Sequence, residues 1–559
     1  MRLGSADSIT HPGQGWLATE VDLPPGLSFQ DISTGARFLR GLPGFLRHPV
    51  RPEQARAVLQ VRLAQRETDF LALVGRAIYR NTASPYRKLL QVAGCEYGDL
   101  EKLVVQQGLE SALSTLLRHG VYLTLDEFKG RRPLVRGSVT LTVDPGLFGN
   151  PGAAVHFLGR TSGSRGPRST VPLNLPFTSD RAVNNCLYFS ARGGSGWLQA
   201  HWEVPGGSAV SRLLWLSHIG APPVRWFSQV DPATLGLEPG YQWSARLVRW
   251  VGLLVGVRLP RPEYAPLDAP LPIVHWMADV LHRGRVPHLW TYASSAAQLC
   301  QAASEAGVDL SGAQLMVLGE PITAARLAVI RRAGAEALPA YGISECGPLG
   351  FGCLAPEAPD DLHVFHDFNA VIRTPADVRL GDLPACTLLV SSLRATAPFI
   401  LLNVSFGDQA ELPQRSCGCP LEKLGWTMHV HTIRSHEKLT AGGMTFLDTD
   451  VIRVLEEVLP ARFGGGPTDY QLLERENEDG RAGVSLLVHP AVGPVDAAAV
   501  ADTFLAALSP GAQAERVMAL QWRQAGLLKV ERRAPLAAPS GKILHLHTAP
   551  LGRPAGAGV

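Results

Sequence analysis

The stretch His156-Phe-Leu-Gly-Arg-Thr-Ser-Gly-Ser-Arg-Gly-Pro-Arg-Ser-Thr170 runs from a short apolar lead into hydroxyls, glycines and arginines. Gly163 and Gly166 leave the backbone free to approach an anion, Thr161, Ser162 and Ser164 offer hydroxyl donors, and Arg165 or Arg168 supplies positive charge. The stretch reads as a loop that grips phosphate, with an ordinary polar surface loop as the alternative. It is not a Walker loop, because Gly-Lys-Ser/Thr is absent. Nor is it a hydrolase elbow, because Thr161 stands where serine would be needed between Gly159 and Gly163.

Outward from this loop, 559 residues exceed one ordinary core, so two or more domains are expected. A hydrophobic content of 46% with 18% charged residues describes a packed globular chain, and 57 glycines with 43 prolines imply many loops. A net charge of +3 without a basic stripe argues against nucleic acid as a partner. Met1 to Trp16 is too polar for a signal peptide. The apolar run Trp250 to Val257, bracketed by Arg249 and Arg258, falls far short of the roughly 20 residues of a membrane span and reads as a buried strand or helix segment. Eight cysteines in so long a chain suit a reduced cytoplasm, with clustered ones serving metal or chemistry and Cys95, Cys186, Cys300 and Cys386 as isolated core thiols.

Residues 1–50 carry little periodicity and are expected to be an irregular lead-in. Arg51 to Tyr79 and Leu100 to Arg118 have helical spacing, the second closed by Gly120, and Thr124-Leu-Asp-Glu127 fits a capping box. Trp197, Trp202, Trp215, Trp226, Trp243, Trp250 and Trp276 could line an organic-substrate pocket or simply fill a large core. Leu315 to Leu318 reads as a strand, Gly319-Glu-Pro321 as the loop at its carboxyl end and Thr323 to Ala333 as a helix, the place where open α/β sheets seat ligands. Beyond Gly443 a smaller α+β unit is expected, with a helix over Asp448 to Leu459, a break at Gly464 to Gly466, a strand near Val484 to Val488 and a helix over Val495 to Leu508.

Further motifs follow in order: Tyr341-Gly-Ile-Ser-Glu345, His363-Val-Phe-His-Asp367, Phe406-Gly-Asp408, Arg434-Ser-His-Glu-Lys438 with Gly443, and Ser540-Gly-Lys542. With the 161–166 loop and Gly319-Glu-Pro321, this series resembles the adenylate-forming superfamily of acyl-CoA synthetases, adenylation domains and luciferases, most closely its phenylacetate-CoA ligase-like branch. The resemblance covers the chain from about Arg51 onward. It implies a multi-layer α/β domain over residues 1–432 that binds ATP and an acid, and a small α+β domain over residues 433–559 that carries a catalytic lysine.

The resemblance also implies roles. Thr161, Ser162, Gly163, Ser164, Arg165 and Gly166 would hold the β- and γ-phosphates, Gly319, Glu320 and Pro321 the adenine, and Asp408 the ribose. Tyr341, Gly342 and Ser344 would complete the nucleotide site, Arg434 would touch ribose or phosphate beside the hinge, Glu345 would hold Mg²⁺, and Lys542 would bridge carboxylate and α-phosphate. A carboxylate attacking a phosphate must approach another anion, so cations and donors have to be in place beforehand. The sequence departs from the family pattern at Arg165, at His436 in the hinge and at Asn403-Val-Ser-Phe406.

Cys417-Gly-Cys419 with Cys353 and His363 could close a tetrahedral structural zinc site, as in the phenylacetate branch, with Cys346 as a substitute ligand. The alternative is a small buried hydrophobe at Cys353 and a satisfied histidine at His363. The expected activity is ATP-dependent activation of a small-molecule carboxylic acid as acyl-adenylate, then transfer to a thiol of coenzyme A or of a carrier protein's phosphopantetheine. The alternatives are transfer to an amine or protein nucleophile, and a descendant that binds without turnover. No membrane span is expected, and the cytoplasm is the expected compartment.

Overall fold

The computed structural model describes residues 29–160, 170–204, 206–231, 239–376, 380–381, 383–435, 439–441, 444–446, 448–476, 482–508, 528–538 and 541–548. Six strands run parallel in the order Glu336–Ile343, Gln314–Leu318, Pro287–Tyr292, Leu198–Glu203, Arg225–Ser228 and Pro262–Tyr264. Parallel neighbours need crossovers, and helices supply them: Gly207–His218, Pro239–Leu254, Leu271–His282, Ala293–Glu305 and Ala324–Arg332 lie between successive strands of the chain. With helices covering it, Pro287–Tyr292 is buried at every position.

Beyond Glu336–Ile343 the sheet turns antiparallel through Gly347–Gly352, Leu362–Val364, His429–Ser435 and Asp408–Glu411. The change of direction falls at Ser344-Glu345-Cys346, so the Tyr341 motif forms the turn that joins the parallel and antiparallel halves. A smaller C-terminal part has its own four-stranded sheet, ordered Leu528–Arg532, Ala482–Val488, Tyr470–Glu476 and Leu546–Thr548. Its core packs Val451, Leu455, Leu472, Leu486 and Phe504. This α/β architecture, large then small, matches the expected fold class, and its helices at Asp448–Phe463 and Ala497–Leu508 fall where the periodicity placed them.

Several local expectations need correcting. The N-terminal lead-in is helical over Phe29–Arg47, because Phe38, Leu42, Phe45 and Leu46 form an apolar stripe buried against Val210, Leu213 and Trp226. The Leu100 to Arg118 helix is two, Tyr97–Gln107 and Leu109–Arg118, broken where Gly108 takes φ 78°. The apolar run is helical through Leu254 and only partly buried: Trp250, Leu253 and Leu254 are 66%, 57% and 77% exposed, while Val251, Val255 and Val257 pack against the core. Cys386 is half-buried, with Arg373 Nη1 3.2 Å from its sulfur, while Cys95, Cys186 and Cys300 are core thiols. The Thr124 capping box forms as expected, with reciprocal bonds of 2.8 and 3.3 Å to Glu127. Among the described residues no helix is long and apolar enough to cross a membrane.

Candidate active site

The stretch expected to grip phosphate is flanked by two paired strands. Phe157–Arg160 pairs antiparallel with Thr170–Leu173, the last pair being Arg160 with Thr170, and Thr161, Ser162, Gly163, Ser164, Arg165 and Gly166 fall in the 161–169 segment outside the described residues. Gly319, Glu320 and Pro321 follow the carboxyl end of Gln314–Leu318, and Tyr341 and Gly342 end the neighbouring strand at a bulge. These adjacent ends open into a cavity of about 200 Å³. Tyr341, Gly342 and Ser344 line one side, and Arg181, Asn185, Ser211, Arg212, Trp215 and Trp290 face them.

Of the seven tryptophans singled out in the sequence, Trp215 alone is in this lining, beside Trp290, whose ring is 4.8 Å from it edge-on. Trp202 and Trp226 are wholly buried core residues. Trp243 lies outside the residues whose side chains are described. For Trp202 and Trp226 the core reading holds; Trp215 is both a buried core residue and part of the cavity lining.

Tyr341 donates its hydroxyl to Asp408 Oδ2 at 2.6 Å. Burial and the adjacent carboxylate together hold the Tyr341 phenol well above its ordinary range, so it stays a donor. Glu345 is 5% exposed and forms an ion pair with Lys129, a residue 216 positions away that nothing in the sequence links to it. Arg434 is not in the cavity lining: its Nη1 pairs with Asp360 at 3.0 Å, and the same carboxylate accepts from the Thr432 and Ile433 backbone at 2.9 Å each. Glu320 also faces inward, accepting from the Ser294 backbone and hydroxyl at 2.7 and 3.0 Å and from Arg326 at 3.2 Å.

Lys542 reaches this site from the smaller C-terminal region. A Cβ on Gly319 would stand 2.9 Å from Lys542 Cε and 3.0 Å from its Nζ, so the glycine makes room for the lysine. Nζ lies 5.6 Å from the centre of the Tyr292 ring. Burial lowers the Lys542 pKa, opposed by the attraction of Glu320 and Asp408. The approach is tight one residue earlier too: Gly541 has φ 79°, and a Cβ there would overlap the Gln229 amide oxygen. Ile543 N bonds Ser294 Oγ at 3.3 Å. A buried ion cluster fastens the contact: Glu456, from the C-terminal region, lies 2.8 Å from Arg326 Nε and 2.6 Å from His545 Nε2.

The cysteine and histidine residues expected to hold a metal do converge. Cys353, His363, Cys417 and His429 bring ligand atoms within 4.8 Å of one another. Cys419 lies in the same cluster, its sulfur 3.1 Å from His363 Nε2, with Cys417 Sγ at 3.4 Å. His363 Nδ1 donates to the Trp426 carbonyl at 2.6 Å and His429 Nδ1 to Asp361 at 2.9 Å, so both rings turn Nε2 inward. His429 Nε2 is buried with no hydrogen-bond partner, as a ligand nitrogen awaiting a cation would be. Burial lowers His363 to about 4, keeping it neutral and able to donate its lone pair. His429 is the member of this cluster that the sequence did not single out; its signal was the His429-Val-His431 pair shortly after Cys417-Gly-Cys419.

Solved structures share this architecture. The complex of 2-hydroxyisobutyryl-CoA ligase with 2-HIB-AMP in the postadenylation state has a TM-score of 0.51 at 15% identity, covering 90% of this chain and 91% of that one. The R3-HIB-AMP complex of the same ligase has a TM-score of 0.50 at 14% identity, covering 90% and 91%. At these identities what is shared is the fold. No family model and no curated protein matches the sequence.

Proposed function

We propose, from the adenylate-forming ligase fold of this chain, that it activates a carboxylic acid with ATP and passes the acyl group to a thiol. The observation that carries the proposal is the arrival of Lys542, from the C-terminal region, over Gly319, the residue after Leu318 of the cavity lining that also holds Tyr341 and Ser344. The two 2-hydroxyisobutyryl-CoA ligase structures hold an acyl-AMP. A half-buried lysine at this junction suits the same chemistry, since it can neutralise two anions that must meet.

In the first step a carboxylate oxygen attacks the α-phosphorus of ATP, the bond to the bridging oxygen breaks, and pyrophosphate leaves with that electron pair. Lys542 steadies the approaching charges. Asp408, oriented by Tyr341, accepts from the ribose hydroxyls, and the 161–166 loop grips the outer phosphates. In the second step a thiol, as thiolate, attacks the acyl carbon and AMP leaves; the thiol is that of coenzyme A or of a carrier protein's phosphopantetheine. We assign the two steps to residues 1–432 and 433–559 as large and small domains, the second swinging to admit the thiol. The reaction needs no membrane, and we place it in the cytoplasm.

Glu345 is the acid suited to Mg²⁺, which would shield the phosphate charge, and binding there requires Lys129 to release the carboxylate. The Cys/His cluster suits structural zinc, four of Cys353, His363, Cys417, Cys419 and His429 serving as ligands, and it pins the segment after the Tyr341 motif to the segment after Asp408. Such a cluster supports the phenylacetate-CoA ligase-like branch.

Pyrophosphate release from ATP and Mg²⁺ across a panel of aryl, fatty and dicarboxylic acids tests the reading. Acid-dependent release is expected, falling on the order of 10²-fold or more in Lys542→Ala and in Glu345→Gln. Silence with every acid while ATP still binds would replace the enzyme by a nucleotide-binding descendant.

A further inference from the structure

Three buried polar atoms with no hydrogen-bond partner line the cavity: Arg181 Nε, Asn185 Oδ1 and Ser211 Oγ. They sit on two facing helices. Arg181 and Asn185 are one turn apart on Leu175–Ala191, and Ser208, Ser211 and Trp215 share a face of Gly207–His218. Asn185 is 1% exposed. Native interiors rarely leave such groups unpaired, and here they are gathered in one space large enough for a small organic molecule.

The charges are unbalanced in the same place. Arg212 is fully answered: it grips Glu203 through 2.8 and 3.2 Å bonds and lies 4.8 Å over the Trp290 ring. Arg181 makes no ion pair among the described residues, and burial and the neighbouring Arg212 lower its pKa to about 10, leaving it cationic at neutral pH. Arg181 is half-buried with its Nε enclosed and unpartnered, and the fork of a guanidinium matches a carboxylate. Trp215, Trp290 and Phe351 add apolar walls.

We propose that the acid taken by this cavity carries a second carboxylate, received by Arg181 with Asn185 and Ser211 beside it, so that the substrate is a compact dicarboxylic acid. The proposal rests on the adenylating reading for the fate of the first carboxylate, at the Ser344 end of the cavity. The unpartnered Oδ1 of Asn185 cannot itself receive a carboxylate, so Asn185 contributes by turning its amide to present Nδ2, and Ser211 by donating its hydroxyl.

The test is calorimetric binding of matched pairs, glutarate against valerate and isophthalate against benzoate, to the full chain without ATP. It is repeated with Arg181→Met and Arg181→Lys, and pyrophosphate release is measured with the same acids. The diacid is expected to bind at least tenfold tighter than its partner, the advantage falling to within threefold in Arg181→Met and returning in part in Arg181→Lys. Equal binding of both members of each pair to the unaltered chain overturns the proposal. So does an Arg181→Met variant that keeps the diacid advantage; a parallel ATP titration of that variant showing lost affinity would assign the guanidinium to the nucleotide instead. Tight diacid binding without pyrophosphate release keeps the pocket assignment and rejects adenylation, whereas release with monoacids alone does the reverse.

Discussion

Lys129 illustrates how one side chain can set the terms for a site. Its ammonium neutralises the buried Glu345 carboxylate, the same group that the proposed reaction needs for Mg²⁺. Removing it in Lys129→Met frees that carboxylate, and the Mg²⁺ concentration for half-maximal pyrophosphate release is expected to fall roughly fivefold, the effect of about 1 kcal/mol of relieved competition. An unchanged Mg²⁺ dependence would mean that the pair persists through turnover. No periodicity or motif points to Lys129, because the contact spans 216 positions. Arg181 is equally silent in sequence, where it is one polar residue on an otherwise mixed helix. Glu345, Asp408 and Lys542 stand out in the sequence because each sits in a short motif whose residue types suit that chemistry.

At the scale of elements, strand ends and loops were the legible features. Gln314–Leu318 with its following turn and helix was readable because an apolar run, a glycine and a capped helix each leave a local mark, and Thr323 caps Ala324–Arg332 through a 3.2 Å bond to the Arg326 backbone. The N-terminal helix was not, because its internal Pro43 and three glycines hide an apolar stripe that only tertiary burial reveals. The cysteine and histidine cluster was half legible: Cys417-Gly-Cys419 is a local signal, whereas the pairing of Leu362–Val364 with His429–Ser435, which sets His363 opposite His429, is not. Asp361 stands behind this cluster, orienting His429 while held in turn by Arg415. Zinc titration of Asp361→Asn should show affinity reduced roughly 10- to 100-fold with coordination number unchanged. Equal affinity in the variant would remove Asp361 from the site, and the absence of bound zinc in the purified chain would remove the site itself.

For the whole molecule, the decisive contact is the one between its large and small regions. Against its burial, Arg326 and His545 hold the Glu456 carboxyl down to about 2 from an ordinary value of 4.5. A depressed carboxyl stabilises the folded, docked state above the ordinary value, and that contribution drains away as pH falls from about 4.5 to about 2. Arg326→Met should therefore lower the melting temperature relative to the unaltered chain above pH 4.5, by the equivalent of about 3–5 kcal/mol, with the gap closing as pH approaches 2. A gap independent of pH would place the effect of Arg326 in packing alone. The wiring of this cluster has a further consequence. Arg326 also holds Glu320 within the large region, and Glu456 also holds His545 within the small one. If the two regions swing apart, each side leaves with a partnered charge, like two couples separating after a four-handed clasp. The joint can thus be fastened by ions and still let go, because release strands no lone charge on either shore.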